Sequence, residues 1–256
     1  EIGGSTLESA IASGNAIYTP GDLKIENSNV TTSNDNQNNK GYPAIWSDGD
    51  ITINGGQLKS TCKGGTALGA ASTISITGCT LESASTGSNA IYTPGDLTIE
   101  NSNVTTNSAG NLPAIWSDSD ITINGGQLKS TCTGSDALGA TGTLSITDCT
   151  VENKGYYTAL YSGGKMTLTG GSITAEAEDN AILSRSAMTI TNATVKATAQ
   201  HINALRASDV MKIDGGRVEA TTFGDEEYAI HMQPIDDEDN NGRMEIGGGV
   251  ELYVKG

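Results

Sequence analysis

A short aliphatic signature recurs along the whole chain at nearly constant spacing. An alanine followed by isoleucine or leucine marks ten equivalent positions, and successive alanines of this set lie 28, 23, 23, 24, 23, 22, 22, 23 and 25 residues apart. These alanines are Ala16, Ala44, Ala67, Ala90, Ala114, Ala137, Ala159, Ala181, Ala204 and Ala229. A period of this length is typical of solenoid proteins, in which each repeat forms one turn of a coil.

Further aliphatic residues alternate inside each repeat. Leu97 and Ile99 lie seven and nine residues after Ala90, and Val104 follows after a turn; the other repeats place aliphatics in the same way. Alternation with a period of two predicts strands with one buried face. Because one coil cannot cover its own aliphatics, coils must stack at about 4.8 Å to bury them.

The pattern therefore predicts an all-β fold, a single-stranded parallel β-helix of about ten coils of about 23 residues with three short strands per coil. The crossover rule for parallel strands favours right-handed coiling. Thirty-three glycines, five prolines and a single phenylalanine agree with short strands and tight turns. We interpret residues 1–256 as one domain, and we expect it to belong to a longer exported precursor.

The charge of the chain limits its partners. Thirty acidic residues against fourteen basic ones give a net charge of −16, which repels phosphate backbones, so we exclude nucleic acid as a partner. No apolar run approaches the roughly 18 residues that span a bilayer, so we predict no membrane insertion within the chain.

Four cysteines raise the question of disulfide bonds. Cys62 and Cys79 fall at opposite ends of the third strand on adjacent coils, as do Cys132 and Cys149. This placement puts their Cα atoms beyond the roughly 7 Å limit for a bridge, so buried free thiols are favoured over disulfides.

An outward column of aromatic residues is the main candidate binding surface. In each repeat the residue after the inward aliphatic of the first strand must point outward, and five of these ten residues are aromatic. They form the aromatic column: Tyr18, Trp46, Tyr92, Trp116 and Tyr161. Gly69 and Gly139 interrupt it, and we expect them to leave gaps between flat steps. Such steps can stack on sugar rings, or they can form a stabilising ladder that contacts another protein.

Six aspartates near this column are candidate calcium ligands. Four of them share one coil position and two lie just before it: Asp22, Asp50, Asp96, Asp120, Asp48 and Asp118. Stacked carboxylates about 5 Å apart repel unless solvent screens them or a cation such as Ca²⁺ lies between them. The alternative is that these are solvated turn residues. The acidic run at residues 236–239 lacks EF-hand spacing and is interpreted as a solvated loop.

The repeat resembles a known family. The phrases Ala44-Ile-Trp-Ser-Asp-Gly-Asp-Ile-Thr-Ile-Asn-Gly-Gly56 and Ala90-Ile-Tyr-Thr-Pro-Gly-Asp-Leu-Thr-Ile-Glu100 are similar to the repeat of bacterial carbohydrate-binding, pectate-lyase-like β-helix proteins. The resemblance implies a surface protein without catalytic activity that binds acidic polysaccharides and calcium. The family often carries an acidic pair before the coil start, and here only Asp136 and Asp179 approach that pattern.

Three hypotheses for function follow. The first is a non-catalytic extracellular module of a bacterial cell-surface protein that binds polysaccharide along the aromatic column, with Ca²⁺ as its candidate cofactor. The second is a structural stalk or cell-adhesion protein whose partners are other surface proteins. The third is a polysaccharide lyase or hydrolase, for which Arg185 and Arg206 lie several coils from the aspartates.

Overall fold

A computed structural model of the protein describes residues 1–35, 41–224, 228–232 and 242–256. Within those ranges the chain is all-β and parallel, which confirms the predicted β-helix of about ten coils of about 23 residues. The described residues form no helix, and hence no helix able to cross a membrane. The acidic run at residues 236–239 lies outside the described residues.

The strands form three ladders that run along the helix axis, one for each strand of a coil. The first ladder is a ten-stranded parallel sheet. Its strands are Ile17–Thr19, Ile45–Ser47, Leu68–Ala70, Ile91–Thr93, Ile115–Ser117, Leu138–Ala140, Thr158–Ser162, Asn180–Ser184, Leu205–Ala207 and Ile230–Met232.

The second and third ladders are joined, because in two early coils one long strand serves both. These joint strands are Leu23–Asn34 and Ile51–Cys62. The other strands of the second ladder are Ile2–Gly3, Ile74–Thr77, Leu97–Glu100, Ile121–Asn124, Leu144–Thr147, Met166–Thr169, Met188–Thr191, Met211–Asp214 and Met244–Ile246. The other strands of the third ladder are Thr6–Ile11, Thr80–Ser85, Asn103–Ser108, Gln127–Cys132, Thr150–Gly155, Ser172–Ala177, Thr194–Ala199, Gly216–Thr222 and Val250–Lys255.

Residues at equivalent positions lie directly over one another. Ile51 pairs with Ile74, and Ile74 pairs with Leu97, so the predicted inward aliphatics form a continuous buried stack. Each of the three is at most 1% exposed. Full burial of such a side chain contributes roughly 1.5–3 kcal/mol before conformational entropy is subtracted, so the stack is the main source of stability.

The turn between the second and third strands is also stacked from coil to coil. Asn27 and Asn101 adopt φ angles of 45° and 47°, in the left-handed region that asparagine tolerates. In the next coil of each pair, Gly55 and Gly125 have φ angles of 69° and 68°. A Cβ atom on Gly55 would collide with Oδ1 of Asn27. The alternation of asparagine and glycine at this corner is therefore a steric fit between neighbouring coils.

A line of polar side chains runs through the core and ties the third strand to the start of the next first strand. The hydroxyls of Ser60 and Ser83 donate to the carbonyls of Ala67 and Ala90, at 2.7 Å in each case. Both serines are buried, so these bonds satisfy groups that would otherwise be costly in the interior. These bonds fix the backbone two residues before the outward residue of the first strand in each of these coils.

All four cysteines are buried free thiols, which confirms the prediction. Burial raises the pKa of Cys149 to about 11, so this thiol stays protonated and unreactive at neutral pH.

Leu97→Ala tests the stacked core. Leu97 lies between Ile74 and Ile121, so truncation leaves a cavity that neighbouring coils cannot close, and we expect the free energy of unfolding to fall by about 2–5 kcal/mol. The matched control is Thr98→Ala on the outward face of the same strand, which should cost under about 0.5 kcal/mol. Urea denaturation measures both, and equal losses would contradict the assignment of inward and outward faces.

Candidate functional site

An elongated groove runs along one side of the first six coils. It has a volume of about 860 Å³ and extends from Asn15 in the first coil to Asp136 in the sixth, five coil spacings or about 24 Å along the axis. Its lining residues are Asn15, Tyr18, Gly41, Tyr42, Pro43, Trp46, Asp48, Thr66, Ser88, Asn89, Tyr92, Leu112, Pro113, Trp116, Asp118 and Asp136. Four of the five predicted aromatic residues therefore share one groove.

The aromatic column points outward, as the sequence predicts. Tyr18 pairs with Trp46 on the next coil, and Tyr92 pairs with Trp116 in the same way. Tyr18 is 56% exposed, whereas the other three are half-buried. The first ladder fixes the backbone positions of all four residues, because consecutive coils are hydrogen-bonded in register.

One carboxylate holds each pair of rings. Asp48 accepts a hydrogen bond at Oδ2 from the Tyr18 hydroxyl, at 2.6 Å, and another at Oδ1 from Nε1 of Trp46, at 2.9 Å. Asp118 does the same for Tyr92 and Trp116, at 2.8 Å and 2.7 Å. Asp48 and Asp118, the bridging aspartates, thus orient aromatic rings from two successive coils.

The hydrogen bonds to the bridging aspartates also contribute to raised pKa values of the two tyrosine hydroxyls. The hydrogen bond to Asp48 is the main reason that the pKa of Tyr18 lies above its usual value of 10.0. Burial, followed by the hydrogen bond to Asp118, raises the pKa of Tyr92. Both phenols are donors at neutral pH, and their hydrogen bonds to the bridging aspartates orient the rings.

Residues just before the first strand complete the groove, and sequence reasoning missed them. Tyr42 and Pro43 line it in the second coil, and Leu112 and Pro113 line it in the fifth. Tyr42 is 41% and Leu112 is 47% exposed, and with the aromatic rings of the groove they form an exposed apolar surface. The sequence did contain a signal for these residues. The segment that begins at Pro43 is nearly repeated from Pro113, so that a proline precedes the tryptophan by three residues in both coils.

The prediction that the two glycines leave gaps in the aromatic column was wrong. A Cβ atom on Gly69 would lie 2.7 Å from Cζ3 of Trp46, and one on Gly139 would collide with the ring of Trp116. Each indole therefore covers the glycine of the next coil. Trp116 reaches past Gly139 to stack on Tyr161, with ring centroids 5.7 Å apart and an interplanar angle of 21°. The position of a residue in the sequence does not show in which direction along the helix axis a large side chain extends.

The four aspartates that share one coil position accept hydrogen bonds from the next coil. Asp22 accepts a hydrogen bond from the backbone N–H of Asp50, at 3.0 Å, and Asp50 in turn accepts from the N–H and hydroxyl of Thr73. Asp96 and Asp120 repeat this pattern in the fourth and fifth coils. Hydrogen bonds from Ser72 and Thr73 lower the pKa of Asp50, so its charge is stabilised by donors of the next coil.

The six candidate calcium ligands are thus split into two groups with different hydrogen-bond partners. Among the residues that the structure describes, no three His, Cys, Asp or Glu side chains are placed to hold one metal ion. Calcium binding stays a prediction.

Asp136 closes the far end of the groove in an environment that disfavours its charge. Burial raises its pKa to about 6, hydrogen bonds from Thr158 oppose the rise, and the charge of Asp179 adds to it. These two acidic residues are the ones that approach the acidic pair of the family that the sequence resembles. Asp136 lines the groove, so its charge is the part of the site that changes near pH 6.

Comparison with known families gives one match. The profile of a family described as carbohydrate-binding domain-containing protein matches residues 146–254, fewer than half of the 256 residues. The match supports carbohydrate binding by the chain. Comparison with curated proteins and with solved structures gives no match. The matched range begins ten residues beyond Asp136 and includes Tyr161, the residue on which Trp116 stacks.

Gly139→Ala tests the contact between coils in the aromatic column. The new methyl group occupies the space of the Trp116 ring, so the indole must move away from Tyr161. In a Trp46→Phe background Trp116 is the single tryptophan, and we expect a shift of its fluorescence emission. Gly21→Ala is the control, since nothing lies within 4 Å of a Cβ atom there. An unchanged Gly139→Ala spectrum would contradict the packing described.

Asp136→Asn tests the raised pKa. Below about pH 4 both folded and unfolded wild-type chains are protonated at Asp136; between pH 4 and 6 only the unfolded state ionises, which lowers the free energy of unfolding. Asparagine cannot ionise. The variant should therefore match the wild type at pH 4 and exceed its stability by about 1–3 kcal/mol at pH 7, as measured by urea denaturation. A difference that does not vary with pH would contradict the assignment.

Proposed function

We propose that the chain is a non-catalytic, extracellular polysaccharide-binding module of a bacterial cell-surface protein, and that the groove is its binding site. The observation that carries the proposal is the pair of aromatic rings held by one carboxylate, which occurs twice in a single elongated groove. The carbohydrate-binding family match, which covers residues 146–254, independently supports carbohydrate binding by the chain, and the choice of the groove as the site rests on its geometry.

The chemistry of the groove suits sugar rings. A sugar presents an apolar C–H face, which packs on aromatic rings, and hydroxyl groups at its edge, which need hydrogen-bond partners. Trp46 and Trp116 supply partly exposed indole surface beside Asp48 and Asp118. Each carboxylate oxygen already accepts one bond from an aromatic residue and keeps acceptor capacity for a further donor.

The shape of the groove favours a polymer over a single sugar. It is open along its length and spans six coils, whereas small-molecule sites enclose most of their ligand. A polysaccharide can lie along the axis and contact successive coils. Such polymers occur outside the cell, which supports the proposed extracellular location together with the family that the sequence resembles.

The spacing of the bridging aspartates does not match that of the carboxylate pair of a glycoside hydrolase. Asp48 and Asp118 lie three coils apart, or about 14 Å, whereas the two carboxyl groups of glycoside hydrolases lie roughly 5–9.5 Å apart. Both are also hydrogen-bonded to two aromatic donors, which fixes them in a positioning role. The proposal therefore assigns no catalytic residue.

The double variant Trp46→Ala plus Trp116→Ala tests the proposed site. Stacking of a nucleic-acid base on an exposed aromatic ring is worth roughly 1–3 kcal/mol, and with a similar value for a sugar ring the loss of both indoles should weaken retention on insoluble polysaccharides by at least about 30-fold. Tyr253→Ala is the control, because Tyr253 is 51% exposed on the third ladder, away from the groove.

Binding is measured by depletion of the protein from solution, together with an assay for released reducing or unsaturated sugar. Wild-type binding by the double variant would refute the groove as the site. Release of sugar by the wild type would refute the non-catalytic proposal, and it would revive the lyase or hydrolase hypothesis.

A further inference from the structure

The groove contains the same arrangement twice. The N-terminal half-site comprises Tyr18, Trp46 and Asp48, and the C-terminal half-site comprises Tyr92, Trp116 and Asp118. In each of them the tyrosine hydroxyl and the indole N–H donate to the two oxygens of one carboxylate. A proline precedes the tryptophan strand in both, at Pro43 and Pro113. The two half-sites therefore present the same hydrogen-bonded aromatic pair to a ligand, and they differ in that Tyr18 is more exposed than Tyr92.

The half-sites lie in line along the helix axis. Trp46 pairs with Gly69, Gly69 with Tyr92, and Tyr92 with Trp116, so three coil spacings separate the two indoles. This is about 14 Å, and the two half-sites share one orientation because every pairing is parallel. A sugar residue in an extended chain is about as long as one coil spacing of about 4.8 Å. A linear chain along the groove therefore brings every third sugar to one of the two aromatic pairs.

The charge of the groove favours neutral sugars over the acidic polysaccharides that the family resemblance implies. Its lining residues, all of them described, include Asp48, Asp118 and Asp136 and no lysine, arginine or histidine. The chain as a whole carries a net charge of −16. A polyuronate would place carboxylates beside these aspartates without a cation from the protein, whereas neutral sugar hydroxyls can donate to them.

We propose that the groove binds a neutral, linear polysaccharide along the helix axis through two equivalent half-sites three coils apart. The inference rests on the proposed function and adds the class of the ligand and the mode of its binding. Once one half-site is occupied, a chain long enough reaches the other by an intramolecular step, so affinity depends on chain length. The shortest chain that bridges both half-sites has about four sugars, residues n and n+3 being engaged.

A length series of neutral oligosaccharides tests the inference. Cello-, xylo- and manno-oligosaccharides of two to eight sugars are titrated while tryptophan fluorescence is recorded, because both tryptophans of the chain lie in the groove. For at least one series we expect the Kd to fall by about tenfold or more between chains of three sugars and chains of five or six. A Kd that changes smoothly with length would overturn the two-site arrangement.

Single variants separate the half-sites. Trp46→Ala and Trp116→Ala should each keep the affinity of the wild type for short chains within about threefold and lose the gain for long chains. Loss of all binding in one variant and none in the other would overturn the equivalence of the half-sites. Tyr253→Ala again serves as the control, and circular dichroism confirms that each variant is folded.

Oligogalacturonates of matched length test the charge argument. They should bind at least about tenfold more weakly than the best neutral series at low salt, and added chelator should leave neutral binding unchanged. Equal or tighter binding of the acidic series would overturn the neutral class while leaving polysaccharide binding intact. Failure of every soluble chain and every insoluble polysaccharide to bind would instead refute the proposed function itself.

Discussion

Hydrogen bonding between parallel coils in register is the constraint on which the rest of the structure depends. A single coil has no core of its own, so each inward aliphatic is buried only because an equivalent residue lies above and below it. The same pairing acts on the outward face, where it sets Tyr18 beside Trp46 and Tyr92 beside Trp116. Core and binding surface are therefore two consequences of one register, and a shift by one residue would exchange inward and outward faces.

Side chains reinforce this register by reaching from one coil to the next. Asp22 and Asp120 accept backbone N–H groups of the following coil, and Asn27 occupies the space that a glycine leaves open above it. A row of aspartates would otherwise be destabilised by repulsion between like charges, and donors from the neighbouring coil offset that repulsion. The bridging aspartates also connect coils, because each accepts hydrogen bonds from aromatic side chains of two neighbouring coils at the surface.

The groove and the family match occupy different parts of one continuous solenoid. The groove ends at Asp136 and the match covers residues 146–254, yet the stacking of Trp116 on Tyr161 joins the two regions. Beyond Tyr161 the outward position is taken by Leu183, Arg206 and His231, so the column loses its aromatic character. The proposed polysaccharide site thus belongs to the first six coils, where the sequence duplicates itself most closely.

The sequence by itself determined the architecture, the inward columns, the free cysteines and the outward direction of the aromatic column, because these follow from periodicity and nearest-neighbour stacking. Only the tertiary structure decided how the rings turn along the axis, that glycines such as Gly69 lie beneath an indole, and that Tyr42 and Leu112 help to form a groove. It also decided that each of the six candidate calcium ligands has a protein hydrogen-bond partner. The physical reason is that repeat spacing fixes where a Cβ atom points, whereas the direction of a long side chain depends on the space and the donors that the next coil provides.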